Sequence, residues 1–153
     1  MKNKTLLTMT ALVALVALPA IFGKPPLPTN GGKPGIGQPS DVLVAYENVA
    51  LALANDDLAA AKTTAAALSE KAREDGNQTI AQHADGLTKS NSLEAAREHF
   101  KAMADEAAKQ AQGTTYHVVH CPMAKANWVQ SGDKIMNPYL GKKMQQCGSM
   151  IKG

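Results

Sequence analysis

Aromatic residues are scarce in this chain, 4% of 153 positions, so any core must be built from Ala, Leu, Val and Met. That composition favours closely packed helices over a sheet. An excess of one charge is lacking too: the formal charge is +3, and Lys and Arg are scattered among Asp and Glu without a one-sided block. This excludes a nucleic-acid footprint. There are only two cysteines, with no C-x-x-C-H for covalent haem and no paired C-x-x-C for a zinc site. The one-loop Cys, His and Met order of a blue-copper site is missing as well. A cysteine nucleophile would have His120 beside it but no sign of an oxyanion site or a substrate pocket, which argues against an enzyme. The length leaves room for one domain and little else.

The N-terminus carries Lys2 and Lys4 and then an apolar run from Leu6 to Phe22, interrupted by Thr8, Thr10 and Pro19. Residues 1–23 read as a secretory signal peptide. If the segment were retained it would be a membrane anchor of about the minimum spanning length, and that is the only route to a membrane in this chain. Either outcome puts the rest of the protein in the periplasm or another exported, oxidising location. Residues 24–40, KPPLPTNGGKPGIGQPS, form a disordered Pro/Gly-rich linker with almost nothing to bury.

The folded part is expected to span residues 41–153. Ser40 or Asp41 caps a first helix whose apolar positions Val42, Tyr46, Val49, Ala50 and Leu53 recur at steps of three and four. Leu58, Ala61, Ala65, Leu68 and Ala72 carry a second helix to near Arg73, and Ile80, Ala84 and Leu87 a shorter third. Asn91 with Glu94 resembles a capping box for a fourth helix, Leu93 to about Ala111, closed by Gly113. Four helices with short loops give an all-α, up-down four-helix bundle. A Cys/Met-rich tail follows, with a short extended segment over Thr114 to Val119 and a short helix over Leu140 to Gln146 ended by Gly148. Asn137-Pro138 signals a turn, Asn137 bonding its own backbone. Trp128 and Tyr139 read as packing anchors, and His83 and His99, among polar neighbours, as solvated.

The tail, Tyr116 to Met150, holds both cysteines, the only tryptophan, His117, His120 and the methionines 123, 136, 144 and 150. Thiolate, thioether and imidazole suit copper in its reduced state. Three readings of these residues compete. In one, Cys121 and Cys147 are soft ligands: an extended backbone aims Cys121 and Met123 to the same side, and a helical turn puts Met144 and Cys147 on one face. The result is a sulfur-rich site for Cu(I) or Ag(I), with His120 or His117 available to complete it. In the second, Cys121 and Cys147 form a structural disulfide whose loop closure stabilises the fold by roughly 3 to 4 kcal/mol. In the third, the methionines are ordinary core, as Met103 in its helical stripe must be.

The wording HCPMA, then a Trp, then IMNPYLGKKMQQCG resembles a periplasmic family of unknown function. Its members often occur as C-terminal extensions on the adaptor subunits of copper and silver efflux pumps and are described as heavy-metal-binding domains. The resemblance is specific at Cys121, Pro122, Met123, Trp128, Asn137 to Tyr139, Gly141, Met144, Cys147 and Gly148. Upstream it covers only the general look of alanine-rich amphipathic helices. It implies an exported copper or silver carrier, buffer or efflux accessory with a copper-handling or efflux protein as partner, and Cys121, Met123, Met144, Cys147 and His120 as the residues to consider for the metal. The alternative from a different class is a disulfide-closed interaction module that binds no metal.

Overall fold

The structure is a computed structural model that describes residues 39–151. The signal peptide and nearly all of the linker expected from the sequence lie outside the described residues. Four helices come first, α1 (Asp41–Ala54), α2 (Leu58–Glu74), α3 (Gln78–Thr88) and α4 (Leu93–Ala111). Each starts on a side-chain oxygen that accepts an otherwise unpaired amide of the first turn. Ser40 Oγ takes Leu43 N at 3.2 Å, Asp57 Oδ1 takes Ala60 N at 2.8 Å, Asn77 Oδ1 takes Ile80 N at 3.0 Å and Ser92 Oγ takes Ala95 N at 3.2 Å. The fourth cap is thus Ser92 and not Asn91. Consecutive helices pack on one another and α4 also meets α1. Their small alanines, Ala61, Ala65, Ala72, Ala84, Ala96 and Ala107, are fully buried between the axes.

The all-α expectation is overturned by the tail, which folds into a sheet. Strands β1 (His117–Cys121), β2 (Ala126–Gln130) and β3 (Ser149–Met150) are all antiparallel, in the spatial order β2-β1-β3. The fold is four helices plus a small three-stranded sheet. Aromatic residues are scarce over the whole chain, but aromatic and β-branched residues are dense between Tyr116 and Val129, and propensity acts locally. The β1–β2 hairpin turns over Pro122 to Lys125, with Lys125 in the left-handed region at φ 47°. Its register pairs Val119 with Trp128 and Cys121 with Ala126. The short helix expected over Leu140 to Gln146 is only a single 3-10 turn, Gly141–Lys143.

Four of the six aromatics meet in one place. Tyr46 of α1 stacks on Phe100 of α4 at 4.6 Å, and Tyr139 lies 5.8 Å from Phe100 and 6.1 Å, edge-on, from Trp128 of β2. Trp128 is completely buried, and helices and sheet share one hydrophobic core. A polar clasp holds the opposite end of the tail. Arg97 donates to Asp56 Oδ1 at 2.6 Å, to Leu53 O at 3.0 Å and to Pro138 O at 2.8 Å, while Asp56 Oδ2 accepts Lys142 N at 3.0 Å. Gly141, at φ +57°, sits so close that a Cβ there would lie 1.9 Å from Asp56 Oδ1. Among the described residues no helix is long and apolar enough to cross a membrane.

Candidate functional site

Cys121 closes β1 and is fully buried; Cys147, half-buried, precedes the two residues of β3. Pairing of β3 with β1, Val119 to Met150 and His120 to Ser149, brings the two cysteines together. Their sulfurs are 3.2 Å apart and unbonded. Gly148 makes the approach feasible. At φ +150° its chain crosses Trp128 so closely that a Cβ would stand 2.7 Å from the indole Cη2 and 3.2 Å from His120 O.

The two thiols are inequivalent. Burial works against ionising Cys121, but the amide of Ala124, 3.4 Å from Sγ, the Cys147 thiol, the Asn137 side-chain amide and the Met123 amide outweigh it. They hold the Cys121 thiol below its ordinary value of 9.0. Cys147 is pushed above it, first because its S–H is given to Cys121 and then by burial and the charge on that neighbour. Of the two, Cys121 is the one that ionises first, and its thiolate then accepts the hydrogen bond from Cys147.

Asn137 is the residue that the sequence reading underrated. It is completely buried. Its Oδ1 accepts Tyr139 N at 2.8 Å and Leu140 N at 3.0 Å, so it does hold the turn. Its Nδ2 also donates to Cys147 O at 2.6 Å, and its backbone amide to Gln145 O at 2.7 Å. One side chain thus ties the Asn-Pro turn to the second cysteine. The Asn-Pro signal located the residue without revealing this reach.

Met123 lies in the hairpin turn, where its amide favours ionisation of both thiols. Met144 caps the 3-10 turn and its carbonyl accepts Cys147 N at 3.0 Å. Both side chains are exposed, Met123 by 62% and Met144 by 37%, whereas Met103 is completely buried. The structure thus brings Cys121 and Cys147 together with the backbones of Met123 and Met144 beside them. It directs the histidines elsewhere. His120 alternates to the other face of β1, with Nδ1 2.8 Å from Asn127 Oδ1, and lines a cavity of 260 Å³ with Lys101 and Lys125. His117 stands four residues up the strand, about 13 Å away, with Nε2 3.8 Å from Asp133.

No family model, curated protein or solved structure matches the chain. Function must be argued from this site. Among the described residues no three His, Cys, Asp or Glu side chains are grouped to hold a metal ion, so an ion bound here would draw on two thiolates and then on thioethers. That soft donor set disfavours magnesium and calcium, and with only two thiolates it falls short of the four Cys or His ligands of a structural zinc site, which leaves Cu(I) and Ag(I) as the better match.

Proposed function

We propose that the protein is an exported copper or silver carrier, buffer or efflux accessory that takes up Cu(I) or Ag(I) as cargo between Cys121 and Cys147, assisted by Met123 and Met144. The observation that carries this reading is a buried thiol with a lowered pKa and a second thiol 3.2 Å away, next to Met123, which is largely exposed, and Met144, which is partly so. An apolar side chain left 62% exposed contributes little packing energy, so Met123 needs another reason to stand there. The resemblance of the tail to heavy-metal-binding domains supports the same conclusion.

Two thiolates sharing one ion through bonds of about 2.3 Å stand roughly 4.0 to 4.6 Å apart, trigonal to linear. Loading therefore parts the sulfurs by about 1 Å. Cys147 is the half-exposed partner, on a segment that leads into Gly148, and it is the one to move. In this reading the role is transfer: a copper-handling or efflux protein in the periplasm would receive the ion.

The test is titration of the reduced full chain with Cu(I) against a competing chelator, followed by native mass spectrometry. One ion per chain is expected, lost in Cys121→Ser and in Cys147→Ser. Undiminished binding by the double Cys→Ser variant would overturn the proposal. The closeness of the sulfurs also favours a second reading, a disulfide-closed module without metal. Counting free thiols on protein taken from its native compartment separates the two, since the module has none even after unfolding.

A further inference from the structure

His83 on α3 and His99 on α4 stand with ring centroids 6.0 Å apart and planes inclined by 47°. Both are half-buried, and not the solvated side chains expected from their polar neighbours. Gly86 makes their meeting possible. A Cβ at that position would lie 2.3, 2.5 and 2.8 Å from Cε1, Nδ1 and Nε2 of His99, so the imidazole rests on the bare α-carbon of α3. A glycine inside a helix costs roughly 0.5 to 1 kcal/mol relative to alanine, and here it clears a seat for the ring. Among the described residues His120 is held by Asn127 and His117 stands beside Asp133; the rings of His83 and His99 have no such partner.

We propose that His83 and His99 form a second metal site, separate from the sulfurs, that takes a borderline divalent transition-metal ion, Cu(II) most tightly. Two imidazoles bound to one ion at about 2.0 to 2.1 Å have ring centroids roughly 5.2 Å apart at a tetrahedral angle and 6.4 Å apart when linear. The observed 6.0 Å falls inside that span. Neutral imidazole is the preferred donor of Cu(II), Ni(II) and Zn(II), and Cu(II) heads the affinity order. No third His, Cys, Asp or Glu is grouped with the pair among the described residues, so water fills the remaining positions and exchange is easy. The site stands whether or not the thiols bind Cu(I).

The test uses the full chain carrying Cys121→Ser and Cys147→Ser, titrated with Cu(II) and followed by electron paramagnetic resonance. One ion with hyperfine coupling from two imidazole nitrogens is expected. His83→Gln or His99→Gln weakens binding at least tenfold, while His117→Gln and His120→Gln leave it unchanged. Gly86→Ala keeps both histidines but fills the seat of His99, and weakens binding comparably. Binding within threefold of the parent in both His83→Gln and His99→Gln, or coupling from a single nitrogen, overturns the site. If the serine pair does not fold, Zn(II) titration of the wild-type chain by proton NMR decides instead. The ring signals of His83 and His99 then shift together, and their standing still sinks the proposal whatever the thiols do.

Discussion

The sulfurs of Cys147 and Cys121 share a hydrogen bond across 3.2 Å, and the two thiols are pushed in opposite directions from the ordinary value of 9.0. Because they are coupled, the pair loses its protons in two macroscopic steps.

Thiolate absorbance followed against pH in the reduced protein is therefore expected to rise once below pH 9.0 and again above it. Cys147→Ala removes the donor and should move the single remaining step upward from the first wild-type step. Two superimposed steps in the wild type, or no movement in Cys147→Ala, would contradict the assigned donor. The sign also bears on metal uptake. Cys121 gives up its proton at a lower pH than Cys147, so uptake of an ion that needs both thiolates releases protons and strengthens as pH rises.

Trp128 supplies the second prediction. It is completely buried, touches Tyr139 edge-on and lies under Gly148. Because helices and sheet share one core, Trp128→Ala should destabilise the whole domain by about 3 to 5 kcal/mol. Helical and near-ultraviolet signals should be lost together in a single denaturant transition at lower midpoint. Loss of tail structure ahead of the helices would show two separable parts.

The helices were legible because their signals are local: an apolar stripe at the helical period and a Ser, Asp or Asn at each start. Even there the choice between Asn91 and Ser92 depended on which oxygen reaches Ala95, which spacing alone does not decide. The sheet was not legible as a sheet. The extended character of the segment after Gly113 was visible in its β-branched residues. A two-residue β3 carries no periodicity of its own and exists only because Val119 and His120 offer it partners. The same holds for the candidate sites. Cys121 and Cys147 could be suspected as an even pair, but the inequality between them comes from Ala124, Met123 and Asn137. His83 and His99 lie on different helices with no motif between them, and Gly86, inside α3, is the residue that seats His99.

A third prediction concerns acid. The Arg97 guanidinium, and then the Lys142 amide, hold the Asp56 carboxyl below its ordinary 3.8 despite partial burial. A carboxylate with a lowered folded-state pKa stabilises the fold fully above its unfolded value and progressively loses that contribution as pH falls through the folded one. Asp56→Asn should therefore lower the melting temperature at pH 7 and change it much less at an acid pH below the lowered folded-state value. An equal loss at both pH values would mean that the clasp works by shape and not by charge.

The final prediction separates ligand from packing among the methionines. Met→Leu nearly keeps volume and removes the thioether sulfur. Met103, fully buried in α4, should tolerate the change with a small stability effect and unaltered Cu(I) affinity. Met123 and Met144, exposed by 62% and 37%, should behave in the opposite way. Their Leu variants should melt as the wild type does, yet bind Cu(I) roughly tenfold to a hundredfold more weakly, about 1.4 to 2.8 kcal/mol each. The measurement is competition against a Cu(I) chelator in the presence of reductant, with thermal melting of the apo protein alongside. If Met123→Leu and Met144→Leu bind like Met103→Leu, the thioethers are bystanders and the cargo is held by Cys121 and Cys147 alone. Since each methionine backbone already contacts the cysteines, through the Met123 amide and the Met144 carbonyl, that result would assign their positions to shaping the thiol pair.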